Sequence, residues 1–266
     1  MSGISTEHLP TGTDLLPDPD LAATLITDRT RAIVLVTPNN HGGLEYPADL
    51  VMRFYRLAQS RGIKLVIDET YRDFDSRTGA PHALFENPDW AKTFIHLYSF
   101  SKAFRLTGHR VGAIVADQNM LFEVEKFLDT VAICPNQLGQ IAALWGLLNM
   151  AQWCAGERAE ILDRRAAIED YWPMMAAQGW ELQGLGAFFA YVRHPFEMSS
   201  GDLAPALVKD AGVLLLPATM FYPEGDPRAP SELRIAFANV DRRGIKTLFE
   251  RLSSLPSPLA SASHSA

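Results

Sequence analysis

Residues 64–71 read Lys64-Leu65-Val66-Ile67-Asp68-Glu69-Thr70-Tyr71, a short apolar run that ends in two acids, a hydroxyl and a phenol. Leu65, Val66 and Ile67 are continuous rather than alternating, the pattern of a strand covered on both faces in a parallel sheet. Ala32-Ile33-Val34-Leu35-Val36 upstream and Phe94-Ile95-His96-Leu97-Tyr98 downstream have the same character, so three central parallel strands are expected. Between the first two, Pro47 opens a segment whose apolar Leu50, Val51, Phe54, Leu57 and Ala58 make a helical stripe that stops at Gly62. That is a strand-helix-strand unit. Val111-Gly112-Ala113-Ile114-Val115 follows the third strand too closely for a crossover helix, so it is expected to run antiparallel and make the sheet mixed.

Working outward, residues 120 to about 150 carry two helical patterns, and 151 to about 177 a long charged helix, Glu157 to Arg165 included, able to bridge two domains. Beyond it, Phe188-Phe189-Ala190-Tyr191-Val192, Val213-Leu214-Leu215-Leu216 and Leu233-Arg234-Ile235-Ala236-Phe237 predict short strands. With helices at about 203–211 and 241–253 they form a compact α+β unit. Ser253 to Ala266 is rich in Ser, Ala and Pro and is expected to be disordered. The chain thus divides at 1–150, 151–254 and 255–266.

A length of 266 residues, 47% of them hydrophobic, supports one large core or two modest ones. No apolar run reaches the roughly 18 residues of a membrane span, and Met1 to Glu7 lacks a basic stretch followed by an apolar one, so a cytoplasmic protein is expected. Cys134 and Cys154 lack metal-ligand spacing and fit reduced thiols, and no metal site is expected. A net charge of −7 disfavours nucleic acid and anionic membranes as partners while leaving room for a small anionic ligand.

In an open α/β sheet, ligands bind outside the carboxyl ends of the strands. Here the residues at those ends are Thr37-Pro38-Asn39-Asn40-His41-Gly42-Gly43, Asp68-Glu69-Thr70-Tyr71 and Ser99-Phe100-Ser101-Lys102, with Arg110 eight residues beyond the lysine. Each has an ordinary reading alone: Asn40 as a turn residue, Asp68 as a helix cap, Lys102 as a solvated lysine and Arg110 as a surface ion-pair partner. Together they meet the needs of pyridoxal phosphate. A lysine amine forms a Schiff base with an aldehyde, a carboxylate keeps a pyridine nitrogen protonated, and serine and arginine hold a phosphate. In this reading Lys102 is the covalent anchor, Asp68 serves the ring nitrogen, and Asn40 and Tyr71 donate to the phenolic oxygen.

Asp68-x-x-Tyr71, Ser99-x-Ser101-Lys102 and Arg110-Val111-Gly112, in combination, resemble the fold-type-I aminotransferases of class I and II, from about residue 10 to residue 253. The resemblance implies an α/β fold, with the mostly parallel mixed sheet of the family's large cofactor-binding domain over 1–150 and a smaller C-terminal α+β domain over 151–254. It implies that Ser99, Ser101 and Arg110 share in cofactor binding, and that Arg234 grips the substrate α-carboxylate as a bidentate pair. It also implies amino acid and 2-oxo acid substrates and a homodimer. Lyase or racemase chemistry on the same residues, an inactive fragment, and a non-catalytic sensor domain are the alternatives.

Three features depart from the family pattern. His41-Gly42-Gly43 replaces Pro-Thr-Gly after Asn40, which should loosen that turn by removing a residue of fixed φ. Pro217-Ala218-Thr219-Met220-Phe221 stands where relatives carry Pro-Gly-x-x-Phe. Met1 to Pro10 resembles the middle of such a protein, so the chain is expected to lack the family's N-terminal third, with its phosphate-binding turn, and to bind the cofactor weakly alone.

Overall fold

The structure, a computed structural model, describes residues 3–255. Its residues group into two units: the chain up to Asn39 with Glu45–Ala159, and Asn40–Leu44 with the chain from Glu160 onward. Apart from Leu255, the tail expected at 255–266 lies outside the described residues.

The first unit begins with α1 (Pro19–Leu25), capped by Asp18, whose carboxylate accepts from the amide of Asp20. It continues with β1 (Ala32–Val36), α2 (Ala48–Arg61), β2 (Lys64–Asp68), β3 (Phe94–Ser99) and β4 (Gly112–Val115). The sheet order is β1-β2-β3-β4. The first three strands run parallel, with Val36 opposite Asp68 and Asp68 opposite Leu97, and β4 returns antiparallel against β3. α2 is the crossover of the strand-helix-strand unit. It buries Leu50, Val51, Phe54, Tyr55 and Ala58, and Gly62 at φ 64° ends it by donating to the carbonyls of Ala58 and Gln59. The fold class is the α/β arrangement expected, with one correction: β2 and β3 are central, but β1 lies at the edge of the described sheet. Val34 is accordingly 64% exposed, because no described strand or helix covers that face.

Two helices follow, α3 (Gln118–Val131) and α4 (Gln137–Asn149), and then α5 (Ala151–Ala176), within which the two units divide. α4 buries only Gly139, Ala143 and Gly146. At Gly146 a Cβ would lie 2.7 Å from the ring of Phe104, so the absent side chain is what lets α4 lie on that ring. The larger apolar residues of both helices, among them Phe122, Phe127, Ile141, Trp145 and Leu148, are exposed.

The second unit holds the remainder of α5, β5 (Glu181–Gly186), β6 (Phe189–Arg193), α6 (Ser200–Ala211), β7 (Leu216–Pro217), β8 (Glu232–Ala236) and α7 (Arg242–Ser253). Its sheet has the order β5-β6-β8-β7 and is antiparallel throughout. Ser199 and Asp241 cap α6 and α7 by accepting from the amides of Asp202 and Gly244. Tyr191, Leu203, Leu207, Leu233, Ile245 and Phe249 form a core in which none is solvent-exposed. The strand expected at Val213–Leu216 pairs only at Leu216–Pro217, and Leu214 points into solvent. β5 was not legible because its Glu181-Leu182-Gln183-Gly184-Leu185-Gly186 carries two glycines and little apolar alternation.

Those glycines have a contact that explains them. A Cβ at Gly184 would lie 2.7 Å from the carbonyl oxygen of Gly42, and one at Gly43 would lie 2.2 Å from that of Gly186. Backbone therefore rests directly on backbone, and Gly43 also sits at φ 75°. Gly43→Ala combines left-handed strain with overpacking and is expected to cost about 2–4 kcal/mol. Gly62→Ala, at φ 64° with open space around it, meets the strain alone and is expected to cost about 1–2 kcal/mol. Urea denaturation of the two variants beside the parent checks this, and equal losses would refute the contact explanation.

Candidate functional site

The carboxyl edge of the first unit's sheet carries the chemistry. β2 ends at Asp68, half-buried, whose Oδ1 accepts from the amide and the hydroxyl of Thr70 at 2.9 and 2.6 Å. Oδ2 has no hydrogen-bond partner among the described residues. Tyr71 follows, buried, at the head of a single 3-10 turn, Arg72–Phe74. β3 ends at Ser99, and the chain closes a tight loop back to β4: the amide of Phe100 donates to the carbonyl of Val111, and that of Leu106 to the carbonyl of Phe100. Inside the loop the Ser101 amide donates to Ser99 Oγ at 3.3 Å, and the Ser101 carbonyl accepts from the Thr107 hydroxyl at 3.0 Å.

Lys102 is half-buried at the start of this loop, with its amine 5.6 Å from the centroid of the Tyr71 ring. No carboxylate pairs with it among the described residues. Arg110 is exposed in the left-handed region at φ 51°, its Nη1 donating to the carbonyl of Thr107 at 2.9 Å. It too has no ion-pair partner among the described residues. An amine without a counter-ion, a guanidinium without a counter-ion and a carboxylate engaged through one oxygen thus share one sheet edge. That donor set fits the aldehyde, phosphate and ring nitrogen of pyridoxal phosphate.

Beneath this edge lies a cluster that the sequence reading passed over. Glu69 is fully buried; its Oε2 lies 2.8 Å from His96 Nε2 and accepts from Arg72 Nη1 at 3.0 Å, while its Oε1 lies 2.8 Å from His82 Nε2 in a close but poorly aligned contact. The signal was available in Phe94-Ile95-His96-Leu97-Tyr98, because a histidine inside an apolar strand needs a buried partner. Burial works against the Glu69 charge, but the contacts from His82 and His96 outweigh it and hold the carboxyl at about 2.

The second unit brings Asn40 and Arg234 together. Arg234 Nη1 donates to the backbone carbonyl of Asn40 at 2.7 Å and to its Oδ1 at 2.8 Å. The guanidinium lies over two rings, Phe189 at 4.3 Å and Phe221 at 4.4 Å. The turn after Asn40, where the lost proline was expected to loosen the chain, is closely packed. Gly42 and Gly43 lie against β5, and His41 sits among Tyr191, Phe221 and Tyr222 with ring centroids 4.3, 5.9 and 5.2 Å away. Burial first, then the nearby charges of Arg228 and Arg234, lower the His41 imidazole to about 4. Packing contacts thus stand where a proline would have acted through φ.

A family model described as "Aminotransferase class I and II" matches residues 13–252. An aspartate aminotransferase of Sulfolobus acidocaldarius is 26% identical over 239 residues, covering 86% of this chain and 58% of that protein. An aromatic amino acid aminotransferase of Rhodococcus opacus is 29% identical over 217 residues, covering 82% and 57%. Among solved structures, an aromatic aminotransferase from Pyrococcus horikoshii has a TM-score of 0.79 at 22% identity, covering 92% of this chain and 65% of that one. The chain spans under two thirds of the length of these relatives. No helix among the described residues is long and apolar enough to cross a membrane.

The Glu69 cluster makes stability depend on acid. With its folded pKa lowered from 4.5 to about 2, Glu69 contributes stability that is complete above pH 4.5 and lost as the pH falls toward 2. Glu69→Gln removes one charge from a buried set and is expected to cost about 3–5 kcal/mol at pH 7. The variant should also lose less stability than the parent between pH 5 and pH 3, read by urea denaturation at both. An equal acid loss in the two proteins would show that Glu69 is not a source of it.

Proposed function

We propose, from the premise that this chain belongs to the class I and II aminotransferases, a family that depends on pyridoxal phosphate, that Lys102 carries the cofactor and serves the transfer of an amino group between an amino acid and a 2-oxo acid. The observation that carries the reading is the amine of Lys102 over the Tyr71 ring, without a counter-ion among the described residues, at the carboxyl edge of a parallel sheet.

When bound, pyridoxal phosphate supplies an aldehyde for amines and a ring that accepts an electron pair. The residues of the chain divide the remaining work. Lys102 would hold the cofactor through its amine and, as a free amine, would move a proton to or from the substrate α-carbon. Asp68 holds a proton on the ring nitrogen through the oxygen that Thr70 leaves open. Tyr71 and Asn40 donate to the phenolic oxygen, and Ser99, Ser101 and Arg110 hold the phosphate. Arg234 takes the substrate α-carboxylate. The names of the relatives, aspartate and aromatic amino acid aminotransferases, support an amino acid and a 2-oxo acid as substrates. Side chains such as Phe122, Phe127 and Trp145, exposed on α3 and α4, are in keeping with a homodimer. The acidic charge and the lack of a membrane-length apolar helix among the described residues favour a cytoplasmic protein that does not act on nucleic acid.

Two experiments test this reading. Borohydride reduction in the presence of pyridoxal phosphate, followed by peptide mapping, is expected to find the cofactor on Lys102; recovery on Lys64, Lys92 or Lys126 would refute the assignment. Arg234→Ala is expected to lower kcat/KM for amino acids by about 2–4 kcal/mol of transition-state binding while leaving cofactor binding nearly intact. Unchanged steady-state kinetics would remove Arg234 from the carboxylate role, and product analysis with 2-oxoglutarate separates transamination from lyase or racemase chemistry.

A further inference from the structure

Four groups of the second unit close a ring of contacts. Asn40 is the covalent neighbour of His41, and the His41 ring stacks on Phe221 at 5.9 Å with an interplanar angle of 30°. Phe221 lies 4.4 Å from the Arg234 guanidinium, and Arg234 returns to Asn40 through its two hydrogen bonds. Tyr191 and Tyr222 close the other sides of the imidazole, edge-on at 4.3 and 5.2 Å. The backbone that delivers His41 into this box is held by the glycine contacts of Gly42 and Gly43 with β5.

A guanidinium recognises a carboxylate through two parallel N–H groups, so the plane in which it is held decides the geometry it offers. The rings against it, Phe189 at 4.3 Å and Phe221 at 4.4 Å, restrict that plane. Phe189 is fixed in β6, whereas Phe221 follows the single 3-10 turn Ala218–Met220 and belongs to no strand. It needs a backing, and the ring stacked on it is His41.

We propose that His41 is a positioning residue for the carboxylate anchor: a neutral, flat ring that backs Phe221 and thereby sets the plane of the Arg234 guanidinium. This rests on the reading of Arg234 as the residue that binds the substrate carboxylate.

Charge separates this role from simple filling. The groups that face the imidazole are the guanidinium groups of Arg228 and Arg234, the phenols of Tyr191 and Tyr222, and, behind Tyr222, the Glu232 carboxylate that accepts from its hydroxyl at 2.9 Å. Desolvation first, and then repulsion by the two cations, disfavours an imidazolium and keeps the ring neutral near pH 7. A carboxylate arriving at Arg234 offsets one of those cations. Its binding should therefore raise the pKa of His41, and the two events are linked.

Maleate, a simple dicarboxylate, is the probe, used with the full chain in two measurements: titration calorimetry, and the pH titration of His41 followed by NMR. Arg234→Ala is expected to abolish binding. His41→Ala and Phe221→Ala should each weaken it about tenfold, their double variant no more than either alone, and His41→Phe should return to within about threefold of the parent. The His41 midpoint, near 4 in the free protein, should rise with maleate in the parent and be insensitive to it in the Arg234→Ala variant. If His41→Ala does not fold, His41→Gln, which keeps the bulk without the flat ring, takes its place with the same expectation. Binding by Arg234→Ala equal to the parent, or none by the parent, overturns the anchor and the proposal with it. Loss in Arg234→Ala together with binding within twofold of the parent in His41→Ala, additive effects of His41→Ala and Phe221→Ala, or a midpoint indifferent to maleate in the parent overturns the positioning role and leaves the anchor standing.

Discussion

Parallel pairing carries β1, β2 and β3 in one direction, so Val36, Asp68 and Ser99 all reach the same edge of the sheet, and every residue directly after a strand is delivered there. The pairing is set by register as well as direction. With Asp68 opposite Val36 and Leu97, a slip of one residue along β2 would turn Leu65 and Ile67 out of the core and carry Asp68 to the opposite face. The apolar residues that fix the register therefore also fix the chemistry, and the same burial that stabilises β2 orients the carboxylate at its end.

The charges at that edge differ sharply from those beneath it. Glu69 is surrounded by His82, His96 and Arg72, the last two on its Oε2 and His82 close to Oε1, and so ties the Asp68–Tyr71 loop to β3. One residue earlier, Asp68 is engaged through one oxygen, and Lys102 and Arg110 have no counter-ion among the described residues. These three charged groups along one sheet edge are the ones proposed above to meet the cofactor. The firm cluster below keeps the open one in place, since a half-compensated group on a mobile loop would turn toward the nearest partner.

Most of this arrangement was legible in the sequence where local pattern and tertiary environment agree. The continuous apolar runs located β2 and β3, Pro47 and Gly62 bounded α2, and the short gap after β3 required an antiparallel β4. The strand-end motifs located Asp68, Tyr71, Ser99, Ser101 and Lys102 on one edge because they follow parallel strands, and Arg110 joins them because it leads into antiparallel β4, whose Gly112 lies opposite Ser99. What was missed depended on contacts far apart in sequence. The apolar run of β1 reads as doubly covered, yet Val34 is exposed, since periodicity does not say which faces other elements will cover. β5 has no apolar alternation because its glycines are selected by the backbone of Gly42 and Gly43, not by the core. Glu69 and His96 are ordinary residues until the fold places their side chains 2.8 Å apart.

The turn after Asn40 shows how the same local order is reached by two physical routes. A proline there limits φ in the folded and unfolded chain alike, so the turn loses little entropy on folding. Two glycines do the reverse, at about 0.5–1 kcal/mol each in backbone freedom. That cost has to be offset by contact, and the contacts are visible: carbonyl against glycine along β5, and an imidazole enclosed by three aromatic rings. The exchange also changes what the turn responds to. Proline is indifferent to pH and to neighbouring charge, whereas the half-buried His41 imidazole, with Arg228 and Arg234 nearby, feels both, so the order of this turn depends on the packing of the second unit.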